Sequence, residues 1–79
     1  MKRVSWKNFT VSLTEYVNCL HVSTTDAEVE YAVREAIAKF RRVNRDCSVG
    51  KRTEDACVKF ALHLHDENRA VYRWVYSSH

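Results

Sequence analysis

Proline is missing from this 79-residue chain and glycine occurs once, at Gly50, so a collagen-like repeat is excluded and few residues mark where elements end. No apolar run approaches the roughly 18 residues that crossing a bilayer requires. Met1, Lys2 and Arg3 lead into Val4, Ser5, Trp6 and Lys7 rather than into an apolar signal stretch, and the expected location is the cytoplasm, with no membrane partner. Cys19, Cys47 and Cys57 are an odd set that cannot all pair within one chain, which argues for reduced thiols and against a disulfide framework. The sequon Asn8-Phe9-Thr10 has meaning only on a secreted chain.

What is present suits one small folded domain over residues 1–79. Hydrophobic residues make up 46%, with charges of both signs interspersed, which excludes a disordered tail and a coiled coil. Lysine and arginine number 13 against 10 aspartates and glutamates, a formal +3. A core of this size leaves only about 3–5 kcal/mol of net stability. It also leaves little room for a deep cleft, and the expectation is a non-enzymatic protein without a cofactor.

The clearest element is a helix starting at Thr24 or Thr25. Thr25 and Glu28 have capping-box spacing, and Val29, Ala32, Val33, Ala36, Ile37, Phe40 and Val43 then form one apolar stripe. Asp26, Glu28 and Glu30 crowd its start and Lys39, Arg41, Arg42 and Arg45 its end, as the helix dipole favours. Glu30 with Arg34 and Glu35 with Lys39 have the spacing of surface ion pairs.

From Val58 the chain alternates, with Val58, Phe60, Leu62 and Leu64 on one parity and Lys59, Ala61, His63 and His65 on the other, which predicts a strand. Asp66-Glu67-Asn68-Arg69 reads as a turn, and residues 70–76 as a returning strand whose Tyr72, Trp74 and Tyr76 share the core face. Residues 5–22 carry two periods. Phe9, Val11 and Leu13 alternate, as do Leu20 and Val22, with Thr14-Glu15 as a turn between them; Trp6, Phe9, Leu13, Tyr16, Val17 and Leu20 also fit a helical stripe. The richness in Val, Thr, Phe and Tyr favours strands. Residues 44–55 are the one obvious loop. The expected fold is therefore α+β: a two-layer domain with an antiparallel sheet in β-β-α-β-β order and one amphipathic helix packed on one face. A mostly helical chain, with residues 5–22 as a first helix and no hairpin, is the runner-up.

Charge is the main functional signal. Arg34, Lys39, Arg41, Arg42, Arg45, Lys51 and Arg52 face only Glu35 and Asp46, net +5 over residues 34–52, so the basicity is local. An arginine-rich cluster suits bidentate contacts to phosphate or carboxylate, and Gly50 beside Lys51 gives the loop freedom to fit a partner. The plain alternative is a solvated helix end. Tyr72, Trp74 and Tyr76 could stack on bases but share the parity of the core. Cys19, His21, His63 and His65 are zinc-type ligands if adjacent strands bring them together, although their spacing is not a standard zinc pattern. His21-Val22-Ser23 is half of a paired phosphoesterase signature whose second copy, His63-Leu64-His65, lacks the hydroxyl residue. Gly50-Lys51 lacks the rest of a phosphate loop.

In layout, a strand at residues 18–22 running into the capped helix at Thr24-Thr25-Asp26-Ala27-Glu28, then a hairpin over residues 58–76, the chain resembles small phage or mobile-element-encoded inhibitor proteins of the anti-CRISPR type. The resemblance implies a stoichiometric inhibitor that occupies a surface of a host protein or ribonucleoprotein complex. The seven basic residues are the expected contact, RNA or DNA backbone is the alternative ligand, and a homodimer is compatible with either.

Overall fold

The hydroxyl oxygen of Ser5 accepts the Asn8 amide at 3.1 Å, and that cap starts the first helix, α1 (Trp6–Asn18). The computed structural model describes residues 4–46 and 49–77. Met1, Lys2, Arg3 and Cys47, on which part of the leader and thiol expectations rested, lie outside them. Thr10 and Thr14, poor helix formers, turn their hydroxyls back to the carbonyls of Lys7 and Thr10 at 2.8 and 3.0 Å. Leu13 and Val17 are buried, and Trp6, Phe9 and Leu20 pack beside them. The strand reading of residues 5–22 is thus overturned in favour of the competing helical stripe. Thr14 and Glu15 lie inside α1, while Leu20 and Val22 lie in the connection that follows it.

The second helix, α2 (Asp26–Val43), follows its cap chemistry. The Glu28 amide donates to the Thr25 hydroxyl at 3.2 Å and the Thr25 amide donates back to the Glu28 carboxylate at 3.0 Å. Val29, Val33, Ile37 and Phe40 are the buried stripe. At its end Asn44, itself buried, donates both its backbone amide and its side-chain amide to the Phe40 carbonyl.

The expected hairpin is instead one helix, α3 (Lys51–Ser77), of 27 residues, so the fold is all-helical over the described residues and the α+β sheet assignment is wrong. Alternation from Val58 to His65 spans only eight positions, too short a window to outweigh a longer helical pattern. Over the whole segment Val58, Ala61 and His65 are the buried residues, at i, i+3 and i+7, whereas Phe60 is exposed. Asp66-Glu67-Asn68-Arg69 contains neither glycine nor proline to supply a tight turn, and His63 pairs with Glu67 one helical turn away. The absence of breakers after Gly50 leaves nothing to stop the helix.

The helices run up, down and up, within extents of 52 × 22 × 16 Å. Helix α3 packs against both α2 and α1, while α1 and α2 touch each other little. At one end Trp6, Phe9 and Phe40 form an aromatic trio with centroids 5.1 to 5.3 Å apart, joining the start of α1 to the end of α2. At the other end α3 clamps the α1–α2 connection. His65, fully buried, donates from Nε2 to the Thr24 carbonyl at 2.8 Å, and Arg69 reaches the carbonyls of Val22 and Thr24 and the carboxylate of Asp26. Asn68 bonds Asn18 at 2.9 Å. Beyond this clamp α3 continues alone: Val71, Tyr72, Trp74, Val75 and Tyr76 are all exposed, so the expectation that the three aromatics are core is also overturned.

Candidate docking surface

The seven cations singled out in the sequence fall into two populations, because α3 is a helix and crosses the end of α2. Glu54 and Asp55, in the first turns of α3, face Arg34 and Arg41. Arg34 bonds Glu30 at 3.0 Å, Glu54 at 2.6 Å and Asp55 at 3.2 Å. Arg41 bonds the other Glu54 oxygen at 2.7 Å and donates from Nε and Nη2 to the Val49 carbonyl at 3.1 and 2.9 Å. Glu54 is therefore held between two guanidiniums in a largely buried position. Its carboxyl lies below the usual range, chiefly through the Arg34 hydrogen bond. Arg34 and Arg41 work as cross-links between α2 and α3, a bidentate task to which arginine is suited. Of the two expected helix-surface pairs, Glu30–Arg34 forms; Glu35 and Lys39 do not pair.

The other five, Lys39, Arg42, Arg45, Lys51 and Arg52, are exposed, and none enters an ion pair among the described residues. The end of α2 and the start of α3 bring Arg42, Arg45, Lys51 and Arg52 to one end of the molecule; Lys39 lies farther along, on the α1–α2 side. A shallow depression at the start of α3 is lined by Lys51, Arg52, Asp55, Ala56 and Lys59. Lys59 was missed from the sequence, yet it stands seven residues after Arg52, the spacing of one helix face. Reading the segment as helix would have revealed it. Gly50 has no left-handed backbone conformation, and a Cβ there would meet nothing, so the loop does not depend on glycine.

The candidate metal ligands do not meet. Cys19 and His21 are exposed beside the connection, His63 points to Glu67 on the outside of α3, and His65 is buried against Thr24. Among the described residues no group of three or more His, Cys, Asp or Glu is placed to hold a metal ion. His21 and Ser23 do touch, Nδ1 to Oγ at 2.8 Å, but the Ser23 amide also donates to Nδ1, making the contact part of an exposed local turn. Burial pushes the Cys57 thiol up, away from the thiolate a nucleophile needs. Among the described residues no helix is long and apolar enough to cross a membrane. No protein-family model matches the chain, and no curated protein or solved structure matches it either.

Proposed function

We propose that this chain is a non-enzymatic docking protein that works in the cytoplasm as a stoichiometric inhibitor, laying its basic end on an acidic surface of a host protein or nucleoprotein complex. The observation that carries this reading is the division of the arginines. Arg34 and Arg41 are consumed by Glu54, Asp55 and Val49, whereas Arg42, Arg45, Lys51 and Arg52 are left in solvent without acidic partners among the described residues. A local excess of guanidinium without an internal task attracts carboxylate or phosphate and speeds encounter with it. The hollows of this molecule are shallow and open, so an effect on a target comes from covering a surface rather than from transforming a substrate. Of the layout shared with phage-encoded inhibitors only the capped helix α2 remains, so the reading now rests on the charges.

Affinity purification of the tagged chain from host lysate, with and without nuclease, tests it. The expected result is a nuclease-resistant protein complex that the triple variant Arg42→Glu, Arg45→Glu, Arg52→Glu no longer captures. Recovery of nucleic acid alone, lost on nuclease treatment and steeply weakened by salt, would assign the same end to RNA or DNA backbone. Capture unaffected by the charge reversal would remove the basic end from the account.

A further inference from the structure

The far end of the molecule poses a different problem. Residues 70–77 of α3 extend past the α1–α2 connection, and five of the eight are large apolar or aromatic side chains: Tyr72, Trp74 and Tyr76 are 42%, 73% and 66% exposed, and Val71 and Val75 are exposed with them. The stripe that buries Val58, Ala61 and His65 continues through Tyr72 and Tyr76, whose rings meet at 4.5 Å with no helix opposite among the described residues. A helix apolar around most of its circumference is normally covered.

The described residues also leave an apolar trough uncovered. Because α1 and α2 meet little and α3 lies on one side of them, their opposite side opens into two overlapping hollows of about 270 and 330 Å³, floored by Phe9, Ser12, Leu13, Ala32, Ala36 and Phe40. The small side chains of Ser12, Ala32 and Ala36 allow a helix axis to come close. Glu35 and, one turn farther along, Lys39 stand on the rim, both exposed and outside any ion pair among the described residues, so a cation docking here must sit at the Glu35 end.

We propose that two copies of this chain exchange these elements, each laying residues 70–77 of α3 into the α1–α2 trough of the other. Val71, Trp74 and Val75, at i, i+3 and i+4, are the anchors of a helix-in-groove contact. Arg73, the cation of the projecting segment, meets Glu35 on the rim. The segment cannot fill its own trough, since α3 is unbroken to Ser77 and lies across the bundle from it. With ~200 Å² per aromatic side chain, the exposed side chains of one segment amount to ~500 Å². Hiding half of that, with a matching area of trough, gives ~1,000 Å² over two reciprocal contacts, the lower edge for a specific interface. An interface at that lower edge belongs to the weak, reversible class. Closure about a two-fold axis uses both segments and both troughs and leaves none to propagate a fibre.

Sedimentation equilibrium of the full chain from low to high micromolar concentration is the test. The expected result is a monomer–dimer equilibrium that Val71→Glu/Val75→Glu and Ala36→Glu each weaken at least tenfold, with far-UV circular dichroism unchanged because Val71 and Val75 are exposed and Ala36 opens into the trough rather than into the core. Mixing those two variants restores one intact segment and one intact trough, and a weaker heterodimer should appear. Pairing Arg73→Glu with Glu35→Arg should recover the dimer that either single change weakens. A chain monomeric throughout the range, or a dimer indifferent to both variants, would overturn the proposal. So would a dimer lost with the segment variant but kept with Ala36→Glu, which would mean pairing of the segments themselves, and so would a monomer whose segment binds lipid vesicles instead.

Discussion

Residues 51–69 and 70–77 belong to one helix, yet they occupy opposite environments. The first part buries Val58, Ala61 and His65 and is tied to α2 and to the α1–α2 connection by Glu54, His65 and Arg69; the second, richer in large side chains, buries nothing. The difference teaches that side-chain type does not decide burial here; the presence of a facing helix does. At ~1.5 Å per residue α3 is ~40 Å long, against ~20 Å for α1 and ~27 Å for α2. Its end has simply outrun its neighbours. Valine, tyrosine and tryptophan are mediocre helix formers, so residues 70–77 hold their shape mainly as the continuation of a helix nucleated elsewhere.

The sharpest way to break the comparison is to truncate one large side chain on each side of it. Ile37→Ala empties a fully buried position in the core cluster that also holds Val58 and Ala61 and should cost about 3 kcal/mol, enough to leave a domain of this size barely folded. Trp74→Ala should move monomer stability by less than about 0.5 kcal/mol. Urea unfolding at low protein concentration reads both, and equal losses would mean that Trp74 is packed. Next in size is the clamp: Arg69→Ala removes bonds to Val22, Thr24 and Asp26 and should cost about 2 kcal/mol, with the Asn18–Asp26 amides losing protection first in hydrogen exchange.

Glu54→Gln follows, at about 1.5 kcal/mol, because it discharges the carboxylate between Arg34 and Arg41. It also carries a pH signature. The Glu54 carboxyl is held low mainly by Arg34, and the Glu28 carboxyl mainly by the Thr25 amide, both below the ordinary value of 4.5. A carboxyl lowered by folding contributes its stability above the unfolded-state value and loses it as pH falls through the folded one. The melting temperature should therefore drop below about pH 4.5, and Glu54→Gln should flatten that drop; an unchanged acid profile would show that Glu54 is not the group responsible. The smallest effect is a loss. Gly50 stands at the cap position of α3, its carbonyl accepting the Glu54 amide at 3.0 Å, and although a Cβ there would meet nothing, alanine caps a helix less well than glycine, so Gly50→Ala should cost about 0.5 kcal/mol in urea unfolding.

Helix α2 was legible because its signals agree: the Thr25–Glu28 box, the charge gradient and the apolar stripe. In α1 the two periods competed, and β-branched residues tipped the reading the wrong way; helix capping by Ser5 and hydroxyl back-bonding by Thr10 and Thr14 reconcile them with a helix. In α3 an eight-residue alternation concealed a 27-residue pattern, and the missing glycine and proline, read as missing punctuation, were the better clue. The charged end was visible as composition. That Arg34 and Arg41 are spent on residues 13 to 21 positions away was not, since it depends on how α3 crosses α2.

Amide hydrogen exchange along α3 tests the central claim, that one helix passes from a packed to an unpartnered environment. In dilute solution residues 57–69 should exchange only on global unfolding while residues 70–77 exchange orders of magnitude faster; raising the protein concentration should slow residues 70–77 selectively. Protection of residues 70–77 equal to that of 57–69 in dilute solution would contradict it.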